Sequence, residues 1–460
     1  MTREGGMNVT LSLGEITLIE KHKRDLDANA MRDEKHLRYY LGAQRVEHLG
    51  MAIPPQMRQF LVIANWCRTF VDTVTDRQQV RSLILPGQET DDARLRAIWD
   101  ASNLNAHVAM FNSDRQVYGR AFMSVSTNPA DKELPWVRVE SPRQMSAFID
   151  PQREVVSSAA RFYGATEDDS EPTLVALYLP DQTIWIAKVE GRWVETDRDV
   201  HNLGSVPVVV HLNRRRAGMW AGESQLTDLI PLVDASARSL TNMQFAQEAH
   251  GIPGLWATGV KQGDFVDAQG KPVPQFEAYF DAIKMLTDKD AKWGQFTAAD
   301  LKNFETALRV YGTQASTVTG FPARYWGITS TNPPTEGAIR ADEAQLVRSV
   351  EAQNEQVGMT LGWVGALALR FATNEWVDGN RVRVDWFDPA TPTVSQREDA
   401  LAKRRAAGVL SREGYWDELG WSEARKDKER EYLRREAEAD VDPYLRGVAV
   451  KDAAAAPTVG

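Results

Sequence analysis

The groups best suited to chemistry in this sequence are a glycine–lysine pair, seven histidines and several adjacent acidic residues. Gly263 followed by Gly270-Lys271 resembles a phosphate-binding loop. However, the spacer between the two glycines is longer than that loop allows, and Pro272 occupies the position of the hydroxyl that binds magnesium. A hairpin turn is therefore the better interpretation, and we predict no ATPase site here.

The remaining polar groups show no catalytic arrangement. The histidines lack the HExxH motif and any paired ligand spacing, and no Gly-x-Ser-x-Gly elbow is present. The acidic pairs Asp91-Asp92 and Asp168-Asp169 stand in loop-like contexts and are expected to face solvent. We predict no catalytic residue, no metal site and no cofactor. A nuclease whose carboxylates are gathered by the fold stays open as an alternative.

Composition narrows the class further. The net charge is −10 and the pI about 5.4, which argues against a protein that grips nucleic acid, because such proteins carry basic patches. Cys67 is the single cysteine and lies on an apolar helical face, so a packed core thiol is predicted. The most apolar helical segment, residues 359–371, is shorter than the roughly 20 residues that span a bilayer. We expect a soluble, intracellular protein without membrane contact.

The pattern predicts an α+β body in the first part of the chain, as far as residue 212. A charged helix is predicted over residues 14–42, and a second helix begins at Pro54-Pro55, with apolar residues at helical spacing as far as Val74. Between residues 121 and 212, short alternating strands are separated by turns.

The second half of the chain is predicted to be mainly helical. Helices over residues 222–250 and 299–318 enclose a small α+β insert, and a mixed-charge helical segment covers residues 393–440. The longest helical pattern is 338–371. Its apolar stripe consists of Ile339, Leu346, Val350, Val357, Leu361, Val364, Ala368 and Phe371.

An irregular segment precedes the long helix. Between Thr319 and Ala338, three prolines and three glycines make continuous helix unfavourable. Its aromatic residues Phe321, Tyr325 and Trp326 argue against disorder. A loop of this length is more often functional than a simple connection.

Several short stretches together resemble the portal proteins of tailed double-stranded-DNA bacteriophages, of the siphovirus type found in phages of actinobacteria. They are Tyr39-Tyr-Leu-Gly-Ala-Gln-Arg45, Ile53-Pro-Pro55, Val117-Tyr-Gly-Arg120, Glu140-Ser-Pro-Arg143, Val318-Thr-Gly-Phe-Pro-Ala-Arg-Tyr-Trp-Gly327, Ala338-Ile-Arg340 and Glu343-Ala344. The resemblance covers residues 35–430, and the order of the parts supports it as much as any one motif.

The resemblance implies an α+β, multi-domain portal fold that assembles as a ring. Its parts would be the wing (1–221), the first stem helix (222–250), the clip (251–298), the second stem helix (299–319), the tunnel loop (320–335), the long wing helix with a return strand (336–392), the crown helices (393–445) and a flexible tail (446–460). Such a ring, usually a dodecamer, forms the conduit at one capsid vertex through which the genome is packaged and ejected.

The same resemblance implies a structural protein and no enzyme. The expected partners are further copies of the chain, double-stranded DNA that passes without specific binding, the terminase large subunit, the major capsid and scaffolding proteins, and a head–tail adaptor. The expected location is the portal vertex of the virion, after assembly in the host cytoplasm.

Candidate contact residues follow from these assignments. Arg324 is the only charged side chain in residues 320–335, and it either touches passing phosphates or forms an inter-subunit salt bridge. Tyr325 and Trp326 are expected to pack against the loop of a neighbouring subunit in preference to bracing DNA. A polar tip facing the tunnel would consist of Thr329, Ser330, Thr331 and Asn332.

The clip carries more aromatic residues than a private core of its size needs. They are Trp256, Phe276, Tyr279, Phe280, Trp293 and Phe296. Aromatic residues are enriched at interfaces, so we expect some of them at contacts with other subunits or with the motor.

The charge of the central region is compatible with a DNA passage. Residues 222–335 hold twelve acidic and nine basic residues, a net of −3. A channel that gripped phosphates would bind DNA in a salt-dependent way and would oppose sliding. Ordinary composition also explains so small a difference. Two alternatives stay open: another head–tail connector component, and a nucleic-acid-processing enzyme of the packaging machinery (a nuclease or an ATPase).

Overall fold

A computed structural model describes residues 11–44, 62–164, 172–251, 255–258, 292–295, 301–328, 335–390 and 394–439. The chain divides into two compact units, Met1–Pro389 and Ala390–Gly460. The first unit contains both helices and sheets, which confirms the predicted α+β class. No helix within the described ranges is long and apolar enough to cross a membrane.

The N-terminal helix forms where the charge pattern predicted it. Helix α1 spans Leu13–Leu41. Ser12 and Glu15 form a capping box at its start, each satisfying a backbone N–H of the other. Gly42 ends the helix in the left-handed conformation, where a side chain would be strained.

The second helix is shorter than predicted. Helix α2 spans Trp66–Thr75, and the side chain of Asn65 caps it by accepting the N–H of Arg68. The prediction of one continuous helix from residue 54 to residue 74 is wrong, because residues 62–65 are not helical. Residues 54–61 lie outside the described ranges.

The short strands predicted in the first unit are present, and they form small antiparallel sheets. Strand β1 (Val80–Ile84) and helices α3 (Ala93–Ala101) and α4 (Leu104–Tyr118) come first. The three-stranded sheet has the order β3-β2-β9, with β2 at Arg120–Ser126, β3 at Trp136–Glu140 and β9 at Val208–Leu212. The five-stranded meander consists of β4 (Met145–Asp150), β5 (Val155–Tyr163), β6 (Leu174–Tyr178), β7 (Gln182–Val189) and β8 (Arg192–Val200).

Two helices flank the insert. Helix α5 (Ile230–Gly251) and helix α6 (Lys302–Thr319) pack against each other. Between them, strand β10 (Leu255–Thr258) pairs antiparallel with β11 (Lys292–Gln295). The predicted start of the first of these helices at residue 222 is wrong, because residues 222–229 form an irregular stretch and turns.

The longest helix is α7, Glu336–Thr373, and it confirms the longest predicted pattern. The side chain of Thr335 caps its start, and Asn374 ends it in the left-handed conformation. Gly362 permits close packing, since a Cβ there would lie 2.4 Å from the carbonyl oxygen of Gly379. Strand β12 (Arg383–Trp386) follows and pairs with β1.

The described part of the second unit is helical. It contains helices α8 (Val394–Ala406), α9 (Arg412–Glu418) and α10 (Glu423–Ala439), where the sequence predicted a mixed-charge helical segment. Leu401 and Trp416 are its buried apolar residues among those described.

Helix α7 passes through two apolar cores of the first unit. Its C-terminal half, including Leu361, packs with β1, β2, α3 and α4. Its N-terminal half, including Val350, packs with α2, with the turn that precedes α5, and with residues 321–326. The predicted apolar stripe is therefore divided between two cores along one helix.

Candidate functional site

Residues 320–328, here called the loop base, pack inside the subunit. Phe321 and Trp326 are only 2% and 3% exposed and belong to the same core as Val350. The ring of Phe321 meets that of Phe70 edge-on at 4.8 Å, and Trp326 meets Trp66 edge-on at 5.7 Å. The two rings of the loop base are thus fixed against helix α2.

The loop base also packs on helix α6. A Cβ on Gly312 would lie 3.0 Å from Cδ1 of Ile328 and 3.3 Å from the carbonyl oxygen of Trp326. The hydroxyl of Ser316 donates to the carbonyl oxygen of Phe321 at 2.6 Å. The absence of a side chain at Gly312 lets the chain fold back directly onto the helix that it leaves.

The structure places Arg324 in ion pairs within its own chain. One guanidinium nitrogen donates to Asp342 Oδ2 at 2.8 Å, and the other donates to Glu343 Oε1. Both carboxylates lie in the first turns of α7. In the subunit, Arg324 is therefore already engaged in intrachain ion pairs. The sequence had suggested that this side chain contacts DNA phosphates or a neighbouring subunit.

Glu343 collects three donors on one oxygen. Besides Arg324, the hydroxyl of Tyr325 donates to its Oε1 at 3.1 Å, and Arg77 donates to it at 3.4 Å. Arg77 also donates to the hydroxyl oxygen of Tyr325 at 3.1 Å. Arg77 follows α2, so this cluster joins three separate segments of the chain.

Sequence reasoning named Glu343 only as part of a family motif, and it assigned no role to Glu343 or to Asn354. Both are buried, at 7% and 4% exposure, and both lie on α7 in the gaps of the predicted apolar stripe. Arg77 contacts Glu343, and its neighbour Gln78 donates to Asn354 Oδ1 at 2.9 Å. The sequence did contain a signal: each of these polar residues stands at a position where the helical spacing of the stripe calls for an apolar one. A polar residue buried at such a position requires a hydrogen-bond partner.

A buried arginine adjoins the second of these contacts. Arg115 is 1% exposed, and its guanidinium donates to amide oxygens of Asn112, Asn213, Gln353 and Gln78 at 3.1, 3.3, 3.0 and 2.5 Å. Burial lowers its pKa to about 9. Since these partners are neutral amides, their dipoles stabilise the charge and tie α4 to α7.

The segment that leads to α5 crosses α4's end at very close range. A Cβ on Gly222 would lie 1.7 Å from the carbonyl oxygen of Gly119. Around this crossing, Asn213 N–H donates to Gly119 O, and Gln225 N–H donates to Gln116 O, both at 2.9 Å. These nonlocal bonds explain why residues 222–229 do not form a helix, although their apolar residues have helical spacing.

Other side chains that could take part in chemistry are buried in the interior of the subunit. Cys67 is fully buried, and burial with Asp234 nearby raises its pKa to about 12, which confirms the predicted core thiol. His22 lies between the hydroxyls of Ser146 and Ser158 at 3.0 Å each, and burial lowers its pKa to about 3. Among the described residues, no group of three or more His, Cys, Asp or Glu could hold a metal ion.

Several predicted contact residues lie outside the described ranges. These are Thr329, Ser330, Thr331 and Asn332 of the loop tip, and Phe276, Tyr279, Phe280 and Phe296 of the insert. The two other aromatic residues predicted for the insert lie on its strands. Trp256 stands opposite Gly294 in the β10–β11 ladder, and Trp293 stands opposite Ala257.

Comparison with known proteins decides the family. A profile of the family described as "Phage portal protein, SPP1 Gp6-like" matches residues 19–442. The chain belongs to this portal protein family. A portal protein of Mycobacterium phage L5 is 34% identical over 459 residues, covering 96% of this chain and 91% of that protein. The portal protein of Mycobacterium phage D29 is 34% identical over 452 residues, covering 92% of each chain.

These matches confirm the resemblance to portal proteins of actinobacterial siphoviruses. The chain is a portal protein, a structural component of the virion, and the prediction that it is no enzyme is confirmed by its family. The alternative of a nuclease or an ATPase is not supported.

The structural comparison returns chains of a gene transfer agent (GTA). A chain of the virion of the native GTA particle has a TM-score of 0.44 at 15% identity, over 80% of this chain and 94% of that chain. A chain from the neck of the native GTA particle, computed with C12 symmetry, has a TM-score of 0.44 at 14% identity, over 84% and 92%.

Two motifs of the family resemblance have structural explanations in this portal protein. Arg120 makes a buried, bidentate ion pair with Asp33, at 3.0 and 2.6 Å, which ties α1 to β2. Glu140 is 1% exposed, pairs with Arg161 and accepts the hydroxyl of Ser124 at 2.6 Å. Both motifs therefore hold the α+β body together.

Proposed function

We propose that this portal protein assembles as a dodecameric ring at one capsid vertex and that double-stranded DNA passes through its centre. In this assignment α5 and α6 are the stem helices, residues 251–298 are the clip, and residues 320–335 are the tunnel loop. The clip would dock the terminase large subunit during packaging and a head–tail adaptor afterwards. The major capsid and scaffolding proteins would surround the ring, and assembly would take place in the host cytoplasm.

The observation that carries the ring is the exposure of helix α6. Of its eighteen residues, only Gly312 and Ala315 are buried within the subunit. Val310 and Val318 are 53% and 45% exposed. A helix normally buries a continuous apolar face, so the exposed side of this one suits contact with a second copy of the chain.

Electron microscopy of the purified protein in negative stain tests the ring directly. We expect axial views with a central channel wide enough for duplex DNA, and a mass by native mass spectrometry that gives the subunit number. Monomers at every concentration and after addition of the scaffolding protein would contradict the proposal.

Replacement of Val310 by Asp is expected to prevent ring formation while leaving the subunit folded. The side chain is half exposed in the subunit, so the charge costs little there, but it would be desolvated between two subunits. Light scattering should show monomers, and circular dichroism should show an unchanged unfolding temperature. Val310→Thr, which has a similar helix propensity but introduces no charge, serves as the control. Rings of Val310→Asp as stable as wild type would place the interface elsewhere.

Replacement of residues 329–334 by a Gly-Ser segment of equal length tests the tunnel-loop assignment. Thr335 is retained because it caps α7. We expect normal rings and reduced packaging or retention of DNA, measured by nuclease protection in assembled particles. The same replacement of residues 165–171, between β5 and β6, is the control and should leave packaging unchanged. Loss of the ring in the first variant alone would assign residues 329–334 to assembly.

A further inference from the structure

One buried carboxylate oxygen organises the loop base. Glu343 Oε1 accepts hydrogen bonds from Arg324, from the Tyr325 hydroxyl and from Arg77. The Glu343 side chain is 9% exposed. Its three donors come from the loop base and from the turn after α2, so a single side chain of α7 joins both of these segments to the helix.

Apolar packing alone does not determine the orientation of the loop base. Burial of Phe321 and Trp326 is strong but non-directional. The described backbone hydrogen bonds of the segment stay local: Tyr325 N–H donates to Pro322 O, and Gly327 N–H donates to Arg324 O. The directional contacts with α7 are those of Glu343 and Asp342.

We propose that Glu343 is the positioning residue of the loop base. It fixes Arg324 and Tyr325 to α7 and at the same time neutralises the one charged side chain of residues 320–335. This inference rests on the proposed assignment of these residues to the tunnel. A loop base held in this way presents no uncompensated cation to passing phosphates, and duplex DNA can slide past it.

The two carboxylates that hold Arg324 contribute unequally. The Asp342 side chain is 51% exposed, whereas the Glu343 side chain is 9% exposed. Water competes with an exposed pair and leaves it weak, while removal of one partner of a buried pair leaves the other charge without compensation. Glu343 therefore determines the position of the loop base, and Asp342 adds little.

Hydrogen exchange of assembled rings tests the proposal. In Glu343→Gln we expect the amides of residues 323–328 to exchange about tenfold faster or more, since a buried ionic partner is lost. Asp342→Asn should change them by about twofold or less. Tyr325→Phe removes one donor but keeps the ring, and should give an intermediate increase. Glu351→Gln, at an exposed position of α7, is the neutral control.

Three outcomes are decisive. Faster exchange confined to residues 323–328, with an unchanged unfolding temperature of the ring, supports the positioning role. Unchanged exchange in both Glu343→Gln and Tyr325→Phe overturns it. Faster exchange throughout the subunit also overturns it, because Glu343 would then stabilise the fold in general.

The rate of DNA packaging in the same variants, measured at several salt concentrations, separates this inference from the proposed function. With Arg324 held only by the exposed Asp342, we expect tighter and more salt-dependent contact with DNA, and slower packaging at low ionic strength. If exchange rises as expected but packaging is unchanged at every salt concentration, Glu343 still positions the segment, and the assignment of that segment to the tunnel is what fails.

Discussion

Replacement of Val350 by Asp is expected to prevent folding of the subunit. Val350 is fully buried in the core that contains Phe321, Trp326 and the turn before α5. An aspartate there has no partner: it must either carry a buried charge or take up a proton and leave a buried carboxyl group without hydrogen bonds. Either form costs about 3–5 kcal/mol in addition to the lost apolar contact, against a total stability of about 5–15 kcal/mol.

Helix α7 offers a matched test of this expectation. Leu361→Asp places the same group in the other core, where the side chain is 1% exposed, and the double variant should accumulate as insoluble protein. Met359→Asp is the control, because Met359 is 55% exposed on the same helix. Its cost should be limited to helix propensity, about 0.5 kcal/mol. Soluble yield and thermal unfolding measure the difference, and normal rings of Val350→Asp would show that the stripe is not core.

Replacement of Gly222 by Ala is expected to disrupt the junction between the α+β body and helix α5. The new Cβ would lie 1.7 Å from the carbonyl oxygen of Gly119, far inside van der Waals contact. The neighbours on both sides are backbone, so no side chain can turn away. The chain must separate here, which breaks the bonds from Asn213 to Gly119 and from Gln225 to Gln116. A loss of about 3–5 kcal/mol follows from the overpacking and the broken bonds together.

The control for this substitution is Gly337→Ala in the first turn of α7. No atom lies within 4 Å of the Cβ position there, so the change should be neutral or stabilise the subunit by up to about 1 kcal/mol. Urea unfolding of both variants gives the comparison. An unfolding free energy of Gly222→Ala within about 1 kcal/mol of wild type would mean that the crossing opens at little cost.

Local patterns predicted the elements that local forces determine. The predicted ends of helices α7 and α1 lie within two residues of the observed ends, because apolar periodicity and capping residues act over a few positions. The start of α5 was predicted wrongly for the opposite reason. Leu226 and Leu229 have helical spacing, yet the backbone before Ile230 bonds to Gln116, more than a hundred residues earlier.

The candidate site shows the same division. Arg324, Tyr325 and Trp326 stood out in the sequence as the charged and aromatic groups of an irregular loop. The structure places Arg324 and Tyr325 on Glu343, and Trp326 in the apolar core. Their surroundings were not predictable, because Arg77 and Glu343 are 266 positions apart. Whether a side chain faces a channel or the inside of its own subunit depends on such distant partners.

The sequence by itself determined the class of elements, their order and the family, since composition, periodicity and the succession of short motifs are properties of the chain read along its length. Only the tertiary structure decided which charges are compensated and which glycines must stay without side chains. Glu343 and Gly222 acquire their importance from segments that approach them in space, and close packing and ion pairing depend on distances that sequence spacing does not contain.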